Sequence, residues 1–126
     1  MTIAELCLPV AIILATVTPL PAKILFRHQF NNAKPRDPAF YDTGFRARSL
    51  WAHQNGMEAF PFFAAAVLLA EMRGVPQATL DGLAAAFILA RLGYIACYFA
   101  DKPTARSIVW AVGFILNLAI FFSPLL

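Results

Sequence analysis

Four apolar runs, at residues 4–26, 49–72, 79–99 and 105–122, dominate the sequence. Each is close to the roughly 20 apolar residues that a helix needs to cross a bilayer. Such runs leave few ways to fold. In lipid every backbone N–H and C=O must be paired inside the protein, and a helix does this within one segment. Composition agrees: 60% of the 126 residues are hydrophobic and 13% charged, where about a quarter charged is usual for a soluble domain. The predicted fold class is therefore all-α, an integral membrane four-helix bundle forming a single domain over residues 1–126.

The connections set the orientation. Residues 28–48 form a long first loop with Pro35, Pro38 and Gly44, and the basic residues Lys23, Arg27, Lys34, Arg36, Arg46 and Arg48 lie in or beside it. Lys102 and Arg106 lie at the third connection, whereas the second carries only Arg73. Lys and Arg concentrate on the cytoplasmic side, so the first and third loops are expected to be cytoplasmic and both termini outside. The net charge of +3 gives no basic face on a soluble fold, so no nucleic-acid partner is expected. Cys7 and Cys97 fall within apolar runs and read as inert small hydrophobes rather than a disulfide. The first run lacks a basic cluster ahead of it and a cleavage site behind it, and reads as a retained span. Pro9, Pro19 and Pro21 would loosen its helix.

Polar residues inside the runs carry the functional information, because an ionisable group in a span is costly and normally turns inward to a partner or a ligand. Arg48, Asn55 and Glu58 are spaced by seven and three residues, which places them on one helical face. His53 points about 160° away from Asn55. Arg91, Tyr94 and Tyr98 form a second stripe in the third run. Arg106 and Ser107 stand at the start of the fourth, followed by Trp110. All three stripes fall in the cytoplasmic half and predict a polar cavity with a cationic bias, Arg48, Arg91 and Arg106 against Glu58. Such a cavity suits a ligand bearing carboxylates.

Structural readings stand beside these. Glu58 and Arg91 also fit an ion pair locking two helices together. Tyr94 and Tyr98 also fit interfacial anchors, as do Trp51 and Trp110. His53 reads as a polar contact between helices or subunits, and Asn117 as a helix-to-helix hydrogen bond.

The segment from Arg48 to Phe62, with Asn55 and Glu58 at three-residue spacing ahead of Phe60-Pro61, resembles the signature of the MAPEG superfamily, the membrane-associated proteins in eicosanoid and glutathione metabolism. Ala90-Arg91-Leu92-Gly93-Tyr94 followed by Tyr98 resembles its third-helix motif, and Thr104-Ala105-Arg106-Ser107 the start of its fourth helix. The spacing is most similar to the bacterial branch, which implies a bacterial inner or plasma membrane. The resemblance implies a homotrimer that binds glutathione between protomers and acts on lipophilic small molecules arriving through membrane lipid. Asn55, Glu58, Arg91, Tyr94 and Tyr98 would contact glutathione, with Arg48 reaching in from the loop. Arg106, beside Ser107, would stabilise the thiolate. Trp51 occupies a position where studied members often carry arginine.

The resemblance thus implies a glutathione transferase or peroxidase. A protein of the same fold that binds lipid without chemistry is the alternative. A small four-span exporter ranks last, because such exporters carry a carboxylate within the first span and this chain has only Glu5 at its edge.

Overall fold

The computed structural model describes residues 1–126 and contains helices α1 (Ile3–Val17), α2 (Leu20–Leu25), α3 (Gly44–Met72), α4 (Gln77–Phe99) and α5 (Pro103–Phe122), with a 3₁₀ turn at Ser123–Leu125. Three stretches are long and apolar enough to cross a membrane: Ile3–Leu25, Gln77–Phe99 and Pro103–Leu125. The helix α3 is longer than any of them but less apolar, since Arg46, Arg48, His53, Gln54, Asn55 and Glu58 interrupt its first half. It packs against α1, α4 and α5, so part of that polar surface faces protein.

The first apolar run is one span in sequence and two helices in space. Pro19 has no N–H to give the carbonyl of Ala15, four residues back, and its ring crowds that turn. The helix α1 therefore ends at Val17 and α2 restarts at Leu20. Two side chains repair the break. Thr18 Oγ1 donates to the Leu14 carbonyl at 2.6 Å, and His53 Nδ1 stands 2.6 Å from the Ala15 carbonyl. A carbonyl only accepts, so His53 carries its proton on Nδ1. At the other end of α1, Thr2 and Glu5 form a capping box. Thr2 Oγ1 also donates to Glu71 Oε1 at 2.9 Å, and the Ala4 N–H to Asp81 Oδ1 at 2.8 Å. These bonds tie the start of α1 to the α3–α4 turn.

Small residues of α1 face inward and large ones outward. Ala4, Cys7, Ala11 and Ala15 are buried, whereas Ile3, Leu6, Val10, Ile13 and Val17 are exposed. Water would drive the opposite arrangement. Lipid permits it, because helices there associate through close packing of small residues. The tightest approach is at Gly56 of α3, where an added Cβ would lie 2.8 Å from Ala15 Cβ and 3.2 Å from its Cα. Phe63 and Phe87 stack at 4.1 Å, joining α3 to α4 in the core.

The first loop is shorter than the sequence suggests, since α3 begins at Gly44 rather than near residue 49. Cation–π contacts order it: the Arg46 guanidinium lies 4.9 Å from the Phe26 ring and 5.4 Å from Phe40. Tyr41 is buried beside Phe40, and burial raises its phenol above the ordinary value.

Candidate functional site

The inner half of α3 brings its polar face against α4. Arg91, only 7% exposed, donates from Nη1 to Asn55 Oδ1 at 2.8 Å. Its other terminal nitrogen, Nη2, is buried with no partner. Glu58 is exposed on the protomer and makes no ion pair; the ion pairs are Met1–Glu5, Asp42–Arg46 and Arg48–Asp101. The structural reading of a Glu58–Arg91 pair is thereby corrected. Spacing placed both residues toward the cavity, but Asn55 is the side chain that meets Arg91 across the interface.

Four side chains on α4 and α5 form a stack in which two tyrosines lie between two cations. The Arg91 guanidinium lies 4.4 Å from the Tyr94 ring. Tyr94 meets Tyr98 edge-on at 5.2 Å, and the Arg106 guanidinium lies 4.9 Å from Tyr98. Each tyrosine face thus supports a cation, a contact worth about 0.5–2 kcal/mol. The stack holds Arg106, at the head of α5, in register with Arg91 two turns deep in α4. Ser107 is exposed; its hydroxyl donates to the Pro103 carbonyl at 3.1 Å and lies 3.5 Å from Arg106 Nη2.

Arg48 takes a different place. Its Nε donates to the Tyr98 carbonyl at 2.9 Å, and Nη1 lies 3.9 Å from Asp101. Asp101 has a positive φ of 55°, an uncommon conformation that Asp tolerates better than most residues. Arg48 therefore secures the end of α4 and the turn into α5. Trp51 lies 6.5 Å from Tyr98, and Arg48, Trp51, Tyr98 and Arg106 line a small pocket of about 50 Å³.

A larger cleft of about 240 Å³ opens between α3 and α5, with Asn55, Glu58, Arg91, Trp110 and Asn117 on its walls. Asn117 makes no hydrogen bond to another helix, contrary to the sequence expectation, and its Oδ1 is buried and unpaired. Its place in the cleft was readable only as a stripe on α5: Trp110, Gly113, Phe114 and Asn117 follow helical spacing.

The profile of the MAPEG family matches residues 3–126. The chain belongs to the MAPEG family. No curated relative and no solved structure matches it. Membership makes this a membrane protein of the family concerned with glutathione and eicosanoid metabolism, whose members use glutathione.

The residues present fit such a ligand. Arg91 lines the cleft, and a guanidinium there would pair with a carboxylate of the ligand. Glu58, an unpaired carboxylate on the opposite wall, would gain an ammonium. Asn55 would be held in place by Arg91. In the MAPEG chain these groups come from α3 and α4, with Arg106 of α5 linked to them through the two tyrosines.

Proposed function

We propose that this MAPEG protein is a glutathione-dependent transferase or peroxidase acting on lipophilic electrophiles or hydroperoxides. The observation that carries the reading is the cation–tyrosine stack from Arg91 to Arg106, which positions two guanidinium groups, with Arg91 on the wall of the cleft. Arg91 and Asn55 hold the tripeptide's polar groups, Glu58 its amine, and Tyr94 and Tyr98 flank it.

Bound glutathione supplies the nucleophilic thiol. A free thiol has a pKa of about 8.5 and is mostly protonated at neutral pH. Arg106 favours the deprotonated sulfur by charge and hydrogen bonding. A guanidinium offers donors and no acceptor, so the contribution of Arg106 is electrostatic. Ser107 lies close enough to orient the Arg106 head group.

Glu58 also supports assembly. A carboxylate exposed on a membrane helix cannot rest against acyl chains without a cost of several kcal/mol. A neighbouring copy would cover it, and a homotrimer with glutathione between protomers meets this need. The basic first loop and Lys102 favour the cytoplasmic side for that end of the bundle, with both termini outside; a bacterial membrane is what the resemblance implies.

The exposed, stacked pair Trp110 and Phe114, with ring centroids 5.4 Å apart, favours a lipophilic occupant and is equally compatible with a protein that only binds lipid. Activity separates the two readings. Purified protein assayed with glutathione and an aryl halide or a lipid hydroperoxide should turn over, and Arg106→Ala should lose most of the rate. Full activity in Arg106→Ala rules out the assigned role of Arg106, and no turnover by the unaltered protein favours the lipid-binding reading.

A further inference from the structure

We infer that Asn117 forms a polar subsite at the deep end of the cleft, selecting an acyl chain with a hydroxyl group part-way along its length. The inference deepens the proposed function by naming a feature of the lipophilic substrate. It rests on that reading for the cleft being the substrate cavity, but not on any thiol chemistry.

Asn117 lies in a helix flanked by Leu116 and Leu118 and is 3% exposed. A primary amide in such surroundings normally finds a partner, because an unpaired buried polar group costs about 1–3 kcal/mol. In a membrane span that partner is usually a neighbouring helix. Asn117 has none, and its side chain lines the cleft instead. The amide carries an acceptor and a donor, and a hydroxyl pairs with whichever of the two faces the cleft.

The α5 side of the cleft leading to Asn117 is apolar. Trp110 and Phe114 lie parallel, with an interplanar angle of 4°. Gly113 between them is buried and adds no side chain to the floor of the groove. A hydrocarbon chain fits this α5 surface, which offers no polar side chain between Trp110 and Asn117; Asn55, Glu58 and Arg91 on the other walls are the groups assigned to the tripeptide. Arg106 heads the same stripe. Eleven residues at 1.5 Å each place Asn117 about 16 Å below it, the reach of about a dozen extended chain carbons. An acid with its carboxylate at the level of Arg106 therefore brings a hydroxyl near its twelfth carbon to the amide.

Native mass spectrometry of the detergent-solubilised full chain, with equal concentrations of stearate and 12-hydroxystearate, tests this directly. The unaltered protein should take the hydroxylated acid about tenfold more tightly. Asn117→Leu, similar in size but without the amide, should bind both acids equally and keep its affinity for stearate. Equal occupancy in the unaltered protein, binding of neither acid, or a preference that survives in Asn117→Leu overturns the inference. The comparison between acids in the unaltered protein needs no variant to fold. Absence of glutathione turnover would count against the proposed chemistry while leaving this readout intact.

Discussion

Arg91 of α4 donates to Asn55 of α3 at 2.8 Å, and this bond couples the helix packing to the candidate ligand site. It consumes one terminal nitrogen of the guanidinium and leaves the other buried and unpaired. Asn55 is thus both a helix–helix contact and the group that aims Arg91. Replacing it should affect ligand binding and stability together. Asn55→Ala should weaken glutathione binding by about tenfold and lower stability by about 1–3 kcal/mol, since Nη1 is then left without a partner. Calorimetric titration and thermal unfolding in detergent measure the two effects. Unchanged affinity would show that Arg91 does not need Asn55 to hold the ligand.

Histidine 53 repairs a break that Pro19 creates, and that relation is testable as a double-mutant cycle. His53→Ala should cost about 1–2 kcal/mol, because the Ala15 carbonyl loses its partner. In a Pro19→Ala background the restored N–H at position 19 can reach that carbonyl, so the same His53 change should cost less. Equal costs in both backgrounds would mean that the His53 contact does not act through the freed carbonyl.

Gly56 faces Ala15 where α1 and α3 approach most closely. Gly56→Ala places a methyl 2.8 Å from the Ala15 methyl and should destabilise the bundle by about 1–3 kcal/mol through overpacking. Pairing it with Ala15→Gly should recover much of the loss. Thermal unfolding of the two variants reads this out, and an undiminished melting temperature in Gly56→Ala would contradict the packing.

The pH dependence of conjugation follows from Arg106. A cation beside the thiol lowers its pKa, so the rate should hold down to a pH below about 8.5 and fall as pH drops through the bound value. In Arg106→Ala the fall should begin at higher pH, while Arg106→Lys keeps part of the shift. Stopped-flow conjugation rates across pH measure the inflection. Identical inflections in all three proteins would remove Arg106 from thiolate stabilisation.

The bundle and the polar stripes were legible because lipid makes each ionisable residue conspicuous. Arg91 or Glu58 in an apolar run has few bland explanations. Spacing fixes the face of a helix on which a residue lies, but not which neighbour it meets across an interface. That is why Glu58 appeared as a partner for Arg91 when Asn55 is the one in contact. Arg48 was legible as part of the cationic set, but its engagement with Tyr98 and Asp101 depends on how the end of α4 folds. Proline 19 was visible as a weak point in the first span. The answering role of His53 was not, because it joins residues far apart in sequence. Asn117 was assigned to another helix because buried amides usually have such partners; its open end depends on the width left between α3 and α5.

Glutathione titration of the purified, detergent-solubilised protein, followed by thiolate absorbance in the ultraviolet, tests the central claim most directly. The account predicts a saturable rise in absorbance near neutral pH that is lost in Arg106→Ala. No rise in the unaltered protein, at glutathione concentrations that saturate family members, would contradict it.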